Sequence, residues 1–187
     1  MASLVLSGDT SGTVTVSAPA VAGSNTQTLA AVTGTLAPIV SGTAVSASGT
    51  SVDFTDIPSW VKRITVMFSE VSLSGTSDIL VQIGDSGGFE TTGYQSASSA
   101  NSSDSTSTAG FVIRQAVAAD TFTGSMTILG MGSNLFVATH LGSRFTNGIE
   151  VIGGGNKTLS DTLTQVRITT VGGTNTFDAG TINILYE

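Results

Sequence analysis

The chain has 187 residues, of which only 10% are charged and none is a cysteine. The absence of cysteine excludes disulfide bridges, thiolate nucleophiles and cysteine-based metal sites. The net charge is −7, from 13 acidic and 6 basic residues. This balance argues against nucleic acid or an anionic membrane surface as a partner, because both require a basic stripe.

Gly, Ser and Thr together supply 78 residues. Thr, Val and Ile favour strands, whereas Gly and Ser favour turns. No segment reaches the roughly 20 apolar residues of a membrane span, and residues 1–6 lack the basic and apolar regions of a signal peptide. We therefore expect an all-β protein that folds in a cytoplasm.

Residues 1–42 differ from the rest because they contain almost no large side chains. Residues 3–6 and 13–16 alternate in the manner of two short strands around a Gly-rich turn. A lone hairpin is marginal in water, so this arm is expected to anchor the chain or to join copies of it. Its candidate contact residues are Leu4, Leu6, Val14 and Val16.

Residues 43–187 are predicted to form a β-sandwich of jelly-roll type, because short period-two segments alternate with turns. The predicted strands cover residues 51–55, 63–69, 79–83, 111–114, 125–130, 135–140, 166–171 and 182–186. Residues 95–108 are almost entirely small and polar. They are interpreted as a long exposed loop, either functional or disordered.

One run resembles the nucleophile segment of chymotrypsin-like proteases: Gly84-Asp85-Ser86-Gly87-Gly88. That chemistry needs an imidazole base and an orienting carboxylate. His140 is the chain's one histidine and follows the serine, whereas chymotrypsin-like enzymes place it first. A glycine-rich turn after a strand is the preferred interpretation.

Other apparent motifs are also weak. Residues 153–158 lack the P-loop spacing and are interpreted as a turn. His140 has no second histidine with which to bind zinc, and Asp85 and Glu90 match no calcium pattern. Trp60 is predicted to begin a strand and to act as a core or interface anchor, with sugar stacking as the alternative. We therefore predict no catalytic, metal or cofactor site.

Four runs resemble a module of tailed-bacteriophage virion proteins often labelled tail-fibre-like. They occupy residues 57–66, 80–88 together with 91–94, 153–160 and 176–187, and recur in the same order. The resemblance covers most of residues 50–187 and is weaker across 95–108 and 130–149. It implies a fibre, spike or head-decoration subunit without catalytic residues.

The resemblance sets the functional expectations. The first is a structural subunit of a tail fibre or short spike that helps attach the virion to its host. The alternatives are a capsid decoration protein and a stand-alone carbohydrate-binding module. The expected partners are copies of the chain, as a homotrimer, other tail or capsid proteins, and a host surface glycan. The expected location is the virion, assembled in the host cytoplasm.

Overall fold

The computed structural model describes residues 3–7, 11–17, 38–115, 117–118, 120–146 and 148–187. Within these ranges every regular element is a β-strand, and every strand pairing is antiparallel. The all-β prediction is therefore confirmed. The strands are β1 Ser3–Ser7, β2 Thr13–Ser17, β3 Val40–Ser41, β4 Val45–Ser46, β5 Val52–Phe54, β6 Arg63–Leu73, β7 Ile79–Asp85, β8 Gly88–Phe89, β9 Gln95–Ala100, β10 Ser103–Ser107, β11 Phe111–Ile113, β12 Phe122–Gly132, β13 Leu135–Arg144, β14 Ile149–Thr158, β15 Gln165–Thr170 and β16 Phe177–Tyr186.

The chain divides into two units, residues 1–36 and 37–187. In the first unit, β1 and β2 pair with each other as the alternation of the sequence predicts. In the second unit, β3 pairs with β16 through Val40 and Tyr186. The boundary between the two units therefore lies before Val40, whereas the sequence suggests a boundary at residue 42.

The larger sheet of the second unit has the order β10-β9-β14-β13-β12-β6-β16-β3, and β4 also pairs with β16. Period-two patterns determine which side chains face inward. In β6, for example, Ile64, Val66 and Phe68 are buried, whereas the intervening residues are partly exposed.

The smaller sheet has the order β11-β7-β15-β5, with β8 pairing with β7. Its inward residues Ile79, Val81 and Ile83 join the same buried cluster as the inward residues of the larger sheet. Ring contacts cross this core: Tyr94 and Phe111 lie edge to face at 5.1 Å between ring centroids. Two antiparallel sheets thus enclose one apolar core, which is consistent with a sandwich.

The long loop predicted for residues 95–108 is wrong. The segment forms a hairpin, β9 and β10, whose turn residues Asn101 and Ser102 both have positive φ. Two positive-φ turn residues suit a tight hairpin turn, and asparagine tolerates that conformation. The hairpin lacks large side chains, and the small residues Ser96, Ser98 and Ala100 of β9 are the ones that it buries.

The turn predicted for residues 153–158 is also wrong, because these residues lie inside β14. Glycines suit this strand because the neighbouring strands β9 and β13 approach it closely. A Cβ added at Gly153 would lie 2.3 Å from the carbonyl oxygen of Ala97 and 2.4 Å from the ring of His140. The glycines therefore serve close strand packing rather than a phosphate loop.

The Phe122 ring lies against two paired glycines of β12 and β13. A Cβ at Gly142 would lie 2.5 Å from two atoms of this ring and 2.6 Å from the Thr123 carbonyl oxygen. Gly142→Ala should therefore lower the free energy of unfolding by about 1–3 kcal/mol through overpacking. Gly130→Ala is the matched control, because its Cβ would meet nothing closer than 3.4 Å. Urea unfolding of both variants tests this, and equal losses would contradict it.

Candidate functional site

The predicted contact residues of the arm lie on the N-terminal hairpin. The backbone register pairs Leu4 with Val16 and Leu6 with Val14. Leu6 and Val16 are 55% and 60% exposed, whereas the side chains of Leu4 and Val14 lie outside the described part. The hairpin thus presents apolar side chains to solvent, which is the property expected of a contact surface.

Asp85 has a structural role in the protease-like run. Its carboxylate accepts hydrogen bonds from the Gly87 amide at 2.8 Å, the Ser160 hydroxyl at 2.6 Å and the Asp161 amide at 3.0 Å. The Ser160 hydroxyl is the largest cause of the lowered pKa of this carboxyl group. Asp85 therefore joins the β7–β8 turn to the loop before β15.

Ser86 and His140 are not brought together. Ser86 is exposed in the turn of the smaller sheet, beside a depression of about 460 Å³ lined by residues 55–57, 85–86 and 164–165. His140 lies on β13 of the larger sheet, and its Nε2 atom is 2.9 Å from the Ser98 hydroxyl. Ser86 and His140, the nucleophile and base that a protease would need, thus lie on different sheets.

His140 is buried, and its hydrogen bonding is confined to the Nε2 side, because the buried Nδ1 atom has no partner among the described residues. The Ser98 hydroxyl oxygen accepts a bond from the Arg114 amide at 3.0 Å and lies 3.3 Å from the Ile152 carbonyl oxygen. The arrangement that satisfies most groups has Nε2–H donating to Ser98, and Ser98 donating to Ile152. Burial lowers the pKa of His140 to about 4, so the ring is neutral at pH 7.

Asp85 and Glu90 do not act as a carboxylate pair. Glu90 lies 3.3 Å from the Nζ atom of Lys157. The same ammonium group donates to the Thr92 carbonyl oxygen at 2.8 Å and lies 5.3 Å from the centre of the Tyr94 ring. Lys157 is therefore a buried cation held by a carboxylate, a carbonyl and an aromatic face.

Trp60 does not begin a strand, since it lies in the turn before β6. Its ring is 6.0 Å from that of Tyr186, at 49° between the planes, and 36% of the residue is exposed. Pro58 and Ser59 precede it, and these turn-forming residues delay the start of the strand to Arg63.

Sequence reasoning missed the outer face of the larger sheet. Its central residues are uncharged and lie in register across five strands. We call this surface the neutral face. It comprises Thr65 and Met67 of β6, Ser125, Thr127 and Leu129 of β12, Val137, Thr139 and Leu141 of β13, Ile152, Gly154 and Asn156 of β14, and Asn183 and Leu185 of β16.

Three apolar members of the neutral face are well exposed: Leu141 is 63%, Ile152 53% and Leu129 42% accessible. Charged side chains on the same side border these residues. Arg63, which bonds to Glu187, pairs with Leu129 in the register. Glu150 lies two residues from Ile152 on β14, and Asp104 of β10 pairs with Ser99, the β9 neighbour of Ile152. A period-two signal was available for β12 and β13. The missed strand β14 prevented their outward residues from being recognised as one surface.

Comparison with known proteins finds no match to the chain among family models, curated sequences or solved structures. The described residues include no helix long and apolar enough to cross a membrane. In the same part of the chain, no three His, Asp or Glu side chains are grouped as metal ligands would be. The similarity to virion proteins therefore stays a prediction from the sequence runs.

Removing the Ser98 hydroxyl should destabilise the second unit. Ser98→Ala leaves the Arg114 amide and the His140 Nε2–H group without their partner, which costs about 1–3 kcal/mol for buried donors. Ser99→Ala is the matched control, since Ser99 faces the other side of β9 and is partly exposed. Chemical unfolding should separate the two variants. A Ser98→Ala protein as stable as Ser99→Ala would contradict this account.

Stability should fall with acid through His140. The folded-state pKa of about 4 lies below the ordinary value of 6.5, so the unfolded chain binds the extra proton first. The contribution is complete above pH 6.5 and is lost as the pH falls toward 4, at up to about 1.4 kcal/mol per pH unit. His140→Gln should flatten the dependence in this window. Urea unfolding from pH 4 to 7 tests it; no other histidine interferes, and parallel curves would overturn the assignment.

Proposed function

We propose that the chain is a non-enzymatic structural subunit of a bacteriophage virion, a tail fibre or short spike protein that helps attach the particle to its host. In this proposal the second unit is a sandwich of jelly-roll type, and the chain acts in several copies, as a homotrimer. The four sequence runs that resemble tail-fibre-like modules support the assignment to a virion.

The observation that carries the structural role is the neutral face. A surface whose centre carries no charge, with the neighbours Leu141 and Ile152 exposed and Leu129 exposed apart from them, suits a protein that functions in contact with others, because exposed apolar side chains favour association.

The side chains that suggested chemistry support the same role. Asp85 binds backbone and hydroxyl donors of neighbouring loops, Glu90 binds Lys157, and His140 is buried against Ser98. Each has a partner that explains its position through packing. Ser86 is left exposed without a base, so no reaction is assigned to it.

The N-terminal hairpin is assigned the anchoring role. Leu6 and Val16 are exposed on β1 and β2, and burying each against a partner would contribute roughly 1.5–3 kcal/mol. The unit boundary at residues 36 and 37 permits a deletion that spares β3 and its pairing with β16.

The test compares particles assembled with the full chain and with a chain lacking residues 1–36. Image reconstruction of purified virions should show the full chain at repeated positions. The truncated chain should retain its β-sheet circular dichroism but be absent from the particle, because it lacks Leu6 and Val16. Position on the tail or on the head separates a fibre from a decoration protein.

Two results would contradict the proposal in different ways. Absence of the full chain from virions would overturn the virion role altogether. Normal incorporation of a folded truncated chain would overturn only the anchoring role of the hairpin. Ser86→Ala serves as a control for catalysis, and loss of a hydrolytic activity in this variant would overturn the non-enzymatic assignment.

A further inference from the structure

We propose that the second unit binds a carboxylate-bearing sugar in a depression beside Lys62. The inference rests on the proposed function in host attachment, and it deepens that function by naming the chemical class of the host glycan. The shape of the depression, its charge and the chemistry of its lining each support a sugar acid as the ligand.

The depression has a volume of about 240 Å³. We call it the Lys62 depression. Three segments line it, namely residues 59–62 before β6, residues 130–136 of the β12–β13 hairpin, and residues 162–163 before β15. Sites for drug-sized ligands measure roughly 300–1,000 Å³, so this smaller volume suits a single sugar ring.

Backbone hydrogen bonds hold the walls of the Lys62 depression in place. The Lys62 amide donates to the backbone oxygen of Glu187 at 2.8 Å, and the Lys62 carbonyl oxygen accepts a bond from the Gly130 amide at 2.9 Å. The Asn134 carbonyl oxygen accepts a bond from the Leu159 amide at 2.9 Å. Segments distant in the sequence are thus fixed to one another, and a preformed site loses little conformational entropy when it binds a ligand.

The charge of the Lys62 depression selects an anionic ligand. Five of the six basic side chains have carboxylate partners, namely Arg63, Arg114, Arg144, Lys157 and Arg167. Within the described part of the chain Lys62 has no such partner, and it is exposed. The lining residues include neither Asp nor Glu. The ammonium group of Lys62 is therefore available to bind an incoming carboxylate.

The other side chains of the lining suit a sugar rather than a simple acid. Ser59, Ser133 and Asn134 supply hydroxyl and amide groups, which donate and accept hydrogen bonds as sugar hydroxyls require. Phe136 adds an aromatic ring to the same lining, and ligand sites typically combine an apolar surface with a few polar groups. An acidic side chain of a protein would use Lys62 and would leave most of these groups without partners.

Gly130 keeps the Lys62 depression open. A Cβ at this position would lie 3.4 Å from the Phe136 ring and 3.5 Å from the Lys62 carbonyl oxygen. These are ordinary contacts, so the strand tolerates a side chain here. A large side chain at residue 130 should therefore fill the depression, which makes Gly130→Leu a variant that blocks the site.

Matched sugars provide the first test. Methyl glucuronide, methyl galacturonide and methyl N-acetylneuraminide carry a carboxylate, whereas methyl glucoside and methyl galactoside carry a hydroxymethyl group in place of the uronic carboxylate. In NMR spectra of the full chain, at least one sugar acid should shift the amide signals of Lys62, Gly130 and Asn134. Its dissociation constant should be about 1 mM, which is ordinary for a ligand of this size. The neutral sugars should bind about tenfold more weakly or less.

Substitutions provide the second test. Lys62→Gln should weaken binding of the sugar acid about tenfold, to the level of the neutral sugars, whereas Lys62→Arg keeps the charge and should keep the binding. Arg167→Gln is the matched control, because it also removes one positive charge but lies on β15 of the smaller sheet. Gly130→Leu should abolish binding of acidic and neutral sugars alike.

Three outcomes would overturn this inference. The first is the absence of amide shifts with every sugar acid at about 20 mM, far above the expected dissociation constant. The second is a Lys62→Gln chain that binds the sugar acid as tightly as the wild type. The third is N-acetylglutamate amide binding as tightly as the sugar acids, which would assign the depression to an acidic peptide. All three concern the purified chain and leave its detection in virions unaffected, so the two proposals fail separately.

Discussion

The second unit depends on two serine hydroxyls that join its sheets. Among the described strands β11 lies at an edge and pairs with β7, so the amides on its other side need acceptors. Ser96 accepts a hydrogen bond from the Val112 amide at 2.9 Å, and Ser98 accepts one from the Arg114 amide at 3.0 Å. Both serines lie on β9 of the larger sheet and are buried. The serine hydroxyls of β9, a strand of the larger sheet, thus accept hydrogen bonds from amides at the edge of the smaller sheet.

This junction explains residues that otherwise suggest chemistry. Ser98 is already committed to the Arg114 amide, and His140 packs against it with its pKa lowered by burial. Gly153 lacks a side chain at the point where Ala97 and His140 approach. A serine–histidine contact and a glycine run therefore arise from satisfying an edge strand within a dense core, and neither requires a substrate.

Charged side chains are distributed unequally over the second unit. Buried charges such as Lys157 and Asp85 are held by nearby donors or acceptors. On the smaller sheet, the exposed pair of Arg167 and Asp53 is bidentate, at 2.8 and 2.7 Å, and raises the pKa of Arg167. The neutral face has such a pair, Arg63 and Glu187, only at its margin. The difference between the two outer surfaces supports the proposed contact role of the larger sheet.

The sequence by itself determined the all-β class, the hairpin of the first unit and the strands with strong alternation, such as β6 and β15, because period-two burial is a local property. It did not reveal β9, β10 and β14. Their Ser, Ala and Gly residues read as loops when the only signal is hydrophobicity. These small residues are needed in the strands because carbonyl groups and rings of neighbouring strands approach them closely. Those neighbours are distant in sequence. The neutral face was likewise decided by tertiary structure, since only strand register places Leu141 beside Ile152.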